Sequence, residues 1–239
     1  MSNIPFLNTE QMREVDRAMI EDYHIELIRM MENAGRNLAH LARNRFFNGD
    51  PREQPVVVLA GRGGNGGGGL VCARRLHNWG AEVQVFLTHS PEDYSGVPAQ
   101  QLDILQRMGA PVTVAGDDVV LGDTAVLLID AIIGYSLSGS PRGTAAALIR
   151  AANAHPAPIL SLDAPSGLDT TTGAAHTPCI QATATMTLAL PKARLQGNEA
   201  VVGELYLADI SVPPDLYAGS GLELEVGPIF SHDDVIRLW

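Results

Sequence analysis

The chain is short of cysteine, of positive charge and of long apolar runs. Two cysteines, Cys72 and Cys179, stand among 239 residues, too few for a disulfide framework. Cys72 falls in a stretch that reads as helix, where a buried reduced thiol is expected. The seven histidines show no i,i+4 pair and no cysteine partner at zinc-ligand spacing, so they read as surface or core residues. Lys and Arg number 16 against 27 Asp and Glu, a net charge of −11. A field of that sign repels nucleic acid and anionic membrane, so neither is expected as main partner, although a local basic pocket is compatible with it. No apolar run approaches the ~20 residues of a membrane span. The opening residues, MSNIPFLNTEQMREVD, are too polar and acidic for a signal peptide. A reducing cytoplasm is the expected compartment.

What is present points to an ordinary folded domain. With 46% apolar and 18% charged residues, a sizeable core is expected. Thr9 reads as the N-cap of a first helix in which Met12, Val15 and Met19 recur at helical spacing. A second helix over about 26–47 carries Leu27, Met30, Met31, Ala34, Leu38 and Leu41 on a stripe. Beyond Gly49-Asp50-Pro51 the pattern alternates. Strands are expected over 55–60, 81–87, 111–115, 125–130, 158–163, 182–190 and 204–210, with helices over 69–79, 97–108 and 143–153. Strand–helix alternation with continuously apolar strands implies a mostly parallel sheet covered by helices on both faces. No composition shift or repeat divides the chain. The fold class is α/β, three-layered and Rossmann-like, with residues 1–239 forming one domain.

In such sheets ligands bind outside the carboxyl ends of the strands, and three unusual segments collect there. The first is GRGGNGGGGL at 61–70, with seven glycines in ten residues. It satisfies G-x-G-x-x-G through Gly61, Gly63 and Gly66. The ribose-binding acid of a dinucleotide fold is missing, because the next strand ends Phe86-Leu87-Thr88-His89. No Gly-Lys-Ser/Thr follows, which excludes a phosphate loop of the Walker type. What is left is an anion site at a helix N-terminus, or simply a tight turn. The second and third segments are Asp130-Ala131-Ile132-Ile133-Gly134 and Asp163-Ala164-Pro165-Ser166-Gly167-Leu168-Asp169. Each places a carboxylate at the end of an apolar strand, either for a site or as a helix cap or turn residue. No Gly-x-Ser-x-Gly elbow occurs, which disfavours a hydrolase.

Together these segments resemble the NAD(P)H-hydrate epimerase family, also called the YjeF N-terminal domain family. The likeness runs over roughly 9–215 and includes Met31-Glu32-Asn33-Ala34-Gly35, the glycine segment, DAIIG at 130–134, DAPSGLD at 163–169, PKA at 191–193 and ADISVPP at 208–214. The family usually reads G-x-G-N-N-G-G-D-G where this chain has Gly61 to Gly69. Asn65 keeps the second asparagine, while Gly64 and Gly68 replace the first asparagine and the aspartate.

The resemblance implies an isomerase of metabolite repair that interconverts the C6 epimers of hydrated NADH and NADPH. It implies Asp163 as acid/base, with an Asx-turn role as the alternative. It implies potassium held by Asn65, Asp130 and Ser166, which are hard oxygen donors; the alternative is that these residues cross-link the loops without a metal. Substrate would lie against Gly64, Asn65, Gly66, Gly67 and Gly68, against Gly134, Tyr135, Ser136, Leu137, Ser138, Gly139 and Ser140, and against Asp163. Lys192 and Arg142 are candidate positive charges. A dehydratase, often fused to such domains, would here be a separate protein. A homodimer is expected from the resemblance and from the methionine-rich first helices. The competing reading keeps the fold without catalysis, as a nucleotide-binding or protein-interaction module.

Overall fold

The computed structural model describes residues 4–239. One eight-stranded sheet runs through it, in the order β3 (Val112–Val114), β2 (Glu82–Leu87), β1 (Pro55–Ala60), β4 (Leu127–Ala131), β5 (Ile159–Leu162), β6 (Ala184–Leu188), β7 (Glu204–Ala208) and β8 (Val235–Arg237). All neighbours are parallel except β7 and β8. The strand order reverses between β1 and β4, which opens a crevice at their carboxyl ends, where a Rossmann-like sheet binds its ligand.

Alternation along β1 sends Val56, Val58 and Ala60 to one face and Val57 and Leu59 to the other. The first face is covered by α2 (Leu27–Phe46), α3 (Gly64–Asn78) and α4 (Gly96–Arg107). Against the second, α5 (Gly143–Ala154) buries Leu148, Ile149 and Ala152. The three-layer expectation therefore holds. The short helices α6 (Glu199–Val202) and α7 (Pro214–Ala218) and the strand β8 were not foreseen.

Two local readings are corrected. Asn8, not Thr9, caps α1 (Thr9–Glu21): its side chain accepts from the Gln11 N–H at 2.8 Å, and Gln11 Oε1 accepts from the Asn8 N–H at 2.9 Å. Such a reciprocal cap contributes about 1 kcal/mol. Thr9 is instead buried and its hydroxyl meets that of Thr171 at 2.7 Å. The methionines also need no second copy of the chain. Met12, Met19 and Met30 are buried within it, because α1 and the start of α2 share a cluster with α7 and Leu207, and Met31 is buried against Gly67. Both cysteines are free and buried, and burial pushes the Cys179 thiol up to about 12.

Candidate active site

The glycine segment is a helix rather than a loop. α3 begins at Gly64, so Gly64 to Gly69 form its first turn and a half, with Gly63 as N-cap. Glycine costs helix stability, about 1 kcal/mol per residue relative to alanine. Packing supplies the reason for it here. A Cβ on Gly66 would enter the Gly61 backbone, one on Gly67 the Met31 thioether, and one on Gly69 the Ala131 Cβ. Without those atoms the N-terminus of α3 settles against α2 and β4. Gly66 and Gly67 are therefore buried in packing, whereas Gly64, Asn65 and Gly68 face a cavity.

Asp130 is the penultimate residue of β4, between β1 and β5, and is fully buried. Its carboxylate accepts from the Ser161 hydroxyl at 2.8 Å, the Ser166 N–H at 2.8 Å, the Ser166 hydroxyl at 2.5 Å and the Ile132 N–H at 3.3 Å. All four donors are neutral. Burial pushes its carboxyl above the usual range, and these bonds only partly offset that. Asp130 and Ser166 thus meet directly. Asn65 comes in from the other side of the crevice, over Gly134. A Cβ on Gly134 would sit 3.1 Å from Asn65 Oδ1 and 2.9 Å from Asp163 Oδ2. Only glycine lets those two side chains converge there. The Asn65 Nδ2 is buried without a hydrogen-bond partner.

Asp163 follows β5 with φ at +69°, a left-handed conformation. For a residue other than glycine this costs of order 1–3 kcal/mol and is concentrated at functional sites. It turns the carboxylate toward the crevice. There it accepts from the Tyr135 N–H at 2.8 Å and pairs with the Lys192 ammonium. Lys192 is 1% exposed and Asp163 4%. The ammonium also donates to the Leu188 carbonyl at 3.0 Å and the Thr187 hydroxyl at 3.3 Å, so all three of its protons are placed. Lys192 itself is held by an N-terminal segment: the Leu7 N–H donates to Pro191 O and the Ala193 N–H to Leu7 O, both at 2.8 Å.

Asn65, Gly134, Asp163 and Lys192 line a cavity of about 260 Å³, together with Met12, Asp16, Met30, Met31, Tyr135 and Ser136, while Asp130 and Ser166 are buried outside its lining. Leu137, Ser138, Gly139 and Ser140 continue past it, and the last three are exposed. Arg142 is exposed at the start of α5, outside the lining. Among the described residues, no group of three His, Cys, Asp or Glu side chains gathers as a metal cluster. Asp16 is the functional candidate that sequence reasoning missed. Its carboxylate accepts from the Tyr135 hydroxyl at 2.5 Å. A signal existed: Asp16 lies one helical turn from Met12, so it sets a charge at the edge of the buried stripe.

A mostly parallel α/β sheet with a helix N-terminus and two strand-end carboxylates around one crevice defines a Rossmann-like architecture. The particular family follows from comparison. The profile described as YjeF-related protein N-terminus matches residues 27–194, and the chain belongs to that family. It is 42% identical over 215 residues to an NAD(P)H-hydrate epimerase of Dehalogenimonas lykanthroporepellens, covering 89% of this chain and 84% of that one. An NAD(P)H-hydrate epimerase of Truepera radiovictrix is 36% identical, with 93% and 97% covered. A bifunctional NAD(P)H-hydrate repair enzyme of Moorella thermoacetica is 39% identical over 87% of this chain, which spans 41% of that protein's length. The crystal structure of yeast ynu0 superposes with a TM-score of 0.84 at 24% identity, covering 98% of this chain and all of that one, a likeness of fold. No helix among the described residues is long and apolar enough to cross a membrane.

Proposed function

We propose that the chain is an NAD(P)H-hydrate epimerase, an isomerase acting on nicotinamide cofactors hydrated at C6 of the reduced ring. The observation that carries this reading is the buried Asp163–Lys192 pair on left-handed backbone in the crevice of a chain 42% identical to a relative of that name. The chemistry suits the groups. The C6 hydroxyl neighbours the ring nitrogen, whose lone pair expels it once a proton is supplied, and water returns to the planar carbon. Lys192 with Asp163 can hold and move that proton. Gly64 and Asn65, at the N-terminal end of α3, offer N–H groups to the substrate's phosphates. The direct test is to mix the protein with one purified epimer and follow appearance of the other. No rate above the uncatalysed one would leave only the reading as a binding module.

The loss of the family's aspartate at 68 bears on that alternative. A Cβ there lies 2.8 Å from Leu162 Cδ2, the mobile end of a side chain, and 3.9 Å from Ala34 Cβ. Gly68→Asp is therefore accommodated by a turn of Leu162. Because Asp163 is retained as the acid/base, the added carboxylate contributes binding alone. It is expected to raise kcat/KM by less than about tenfold, near 1.4 kcal/mol. An inert parent strongly rescued by Gly68→Asp would overturn the active-enzyme reading.

Potassium is part of the proposal. The residues fit it: Asp130 is a buried carboxylate whose partners are all uncharged, and the orphaned Asn65 amide presents an oxygen in place of Nδ2 when flipped. Asn65, Asp130 and Ser166 would hold the ion, which supplies fixed positive charge beside an anionic substrate. Potassium should then raise Tm, by about 1.4 kcal/mol at ten times its Kd, or roughly 3–6 °C for a chain of this size. Asp130→Ala and Ser166→Ala should each abolish the rise. Equal shifts with sodium and potassium in both variants and parent would mean that ionic strength alone is being read. A homodimer and a dehydratase that consumes one epimer complete the proposal; light scattering at micromolar concentration tests the first.

A further inference from the structure

Inversion at one carbon through a planar cation sets a geometric demand. A proton must be given to the hydroxyl leaving one face and taken from the water arriving at the other. One acid/base group cannot reach both faces of a held ring. Two proton-handling oxygens on opposite faces, each about 3–3.5 Å from C6, stand roughly 6–7 Å apart.

The cavity contains a second such group. Tyr135 links it to Asp163: its backbone N–H donates to Asp163 at 2.8 Å, and its phenolic hydroxyl donates to Asp16 at 2.5 Å. The length of a tyrosine therefore separates Asp163 from Asp16, and both carboxylates line the same cavity. Their settings differ. Asp163 is ion-paired with Lys192. Among the described residues no cation pairs with Asp16, and burial pushes its carboxyl up, with the Tyr135 hydroxyl and the more distant Lys192 charge opposing. Two carboxyls in one cavity with divergent settings is the pattern of a divided acid and base. Asp16 lies on α1, outside the matched family segment 27–194.

We propose that Asp16, with the Tyr135 hydroxyl, is the second acid/base of the epimerisation, acting on the face of C6 opposite the Lys192–Asp163 pair. The inference rests on the epimerase reading above. In one direction, the Lys192–Asp163 pair gives a proton to the C6 hydroxyl. The C–O bond breaks, water leaves, and the ring-nitrogen lone pair becomes the N1=C6 π bond. A water on the Asp16 side then bonds to C6, the π electrons return to nitrogen, and the surplus proton passes to Asp16, directly or through the Tyr135 hydroxyl. One water is lost and one gained. The proton displaced between the two groups is restored by the reverse turnover or by exchange with solvent. The two carboxylates and the Tyr135 ring also favour the transient ring cation.

The test separates the two faces by isotope. Each purified epimer of hydrated NADH is incubated separately with the protein in ¹⁸O-water, and label is measured in both the recovered starting epimer and the product. The parent should label both. In Asp16→Asn and in Tyr135→Phe, water can still return to the Lys192–Asp163 face, so for the epimer whose hydroxyl leaves by that face, label should keep entering the starting epimer while epimer formation falls. The ratio of exchange to epimerisation is expected to rise at least tenfold. A merely structural role would lower both and leave the ratio unchanged, which would overturn the proposal, as would unchanged rates in both variants. A parent that neither exchanges nor epimerises would instead show that the epimerase reading itself has failed.

Discussion

Asp163→Asn is expected to lower epimerase kcat by ~10²–10⁴-fold, the range for loss of one positioned acid/base. Asparagine keeps the shape. Its amide oxygen can still accept from the Tyr135 N–H, so the loop after β4 need not move. What is lost is a group that exchanges a proton with Lys192. The substitution leaves a nearly buried ammonium without its counter-charge, since Lys192 is 1% exposed. The assay therefore belongs well below the variant's own Tm. Retention of more than a tenth of the parental kcat would remove Asp163 from the chemistry and leave it as an organiser of the Pro165-Ser166-Gly167 turn.

Lys192→Met should be the most destabilising single change in the site. It removes the cation of a buried pair and leaves the Asp163 carboxyl without its counter-charge, in left-handed backbone, at 4% exposure. Breaking such a pair from one side costs about 3–5 kcal/mol, equivalent to roughly 6–20 °C in Tm at this chain length. Thermal or urea unfolding reads the effect. The double variant Asp163→Asn, Lys192→Met should recover most of it, because no uncompensated charge then stays buried. Activity should not return. If single and double variants unfold alike, the pair is not the source of the loss, and the long side chain's packing beneath Tyr135 is.

The parts of the molecule that sequence reveals are those written in local pattern. Apolar runs and their spacing place β1, β4 and β5, and with them the edge on which Asp130 and Asp163 stand. The start of α3 was hidden, because propensity alone argues against a helix at Gly64 to Gly69; close approach to Gly61, Met31 and Ala131 decides it. β8 was hidden for another reason: it is three half-buried or exposed residues at the sheet edge, with no stripe to read. The Lys192 side chain was among the candidates, but its complete burial was not foreseeable from charge and position. Asp16 meets Tyr135 only through the tertiary fold, so neither residue announces the other in the chain.

The bridge between Leu7 and the Pro191–Ala193 segment has a bearing on biosynthesis. A chain emerging from the ribosome N-terminus first makes α1 early, yet α1 completes its packing only when Leu190 and the more distant Leu207 and Leu216 have followed it out. β1 to β5 can pair meanwhile, since each needs only neighbours already present. Contacts between distant parts of the sequence form late because their loop must close first. The wall of the cavity that carries Asp16 is thus set in place late, and a nascent chain halted before Ala193 would hold Asp130 and Asp163 at a half-assembled crevice.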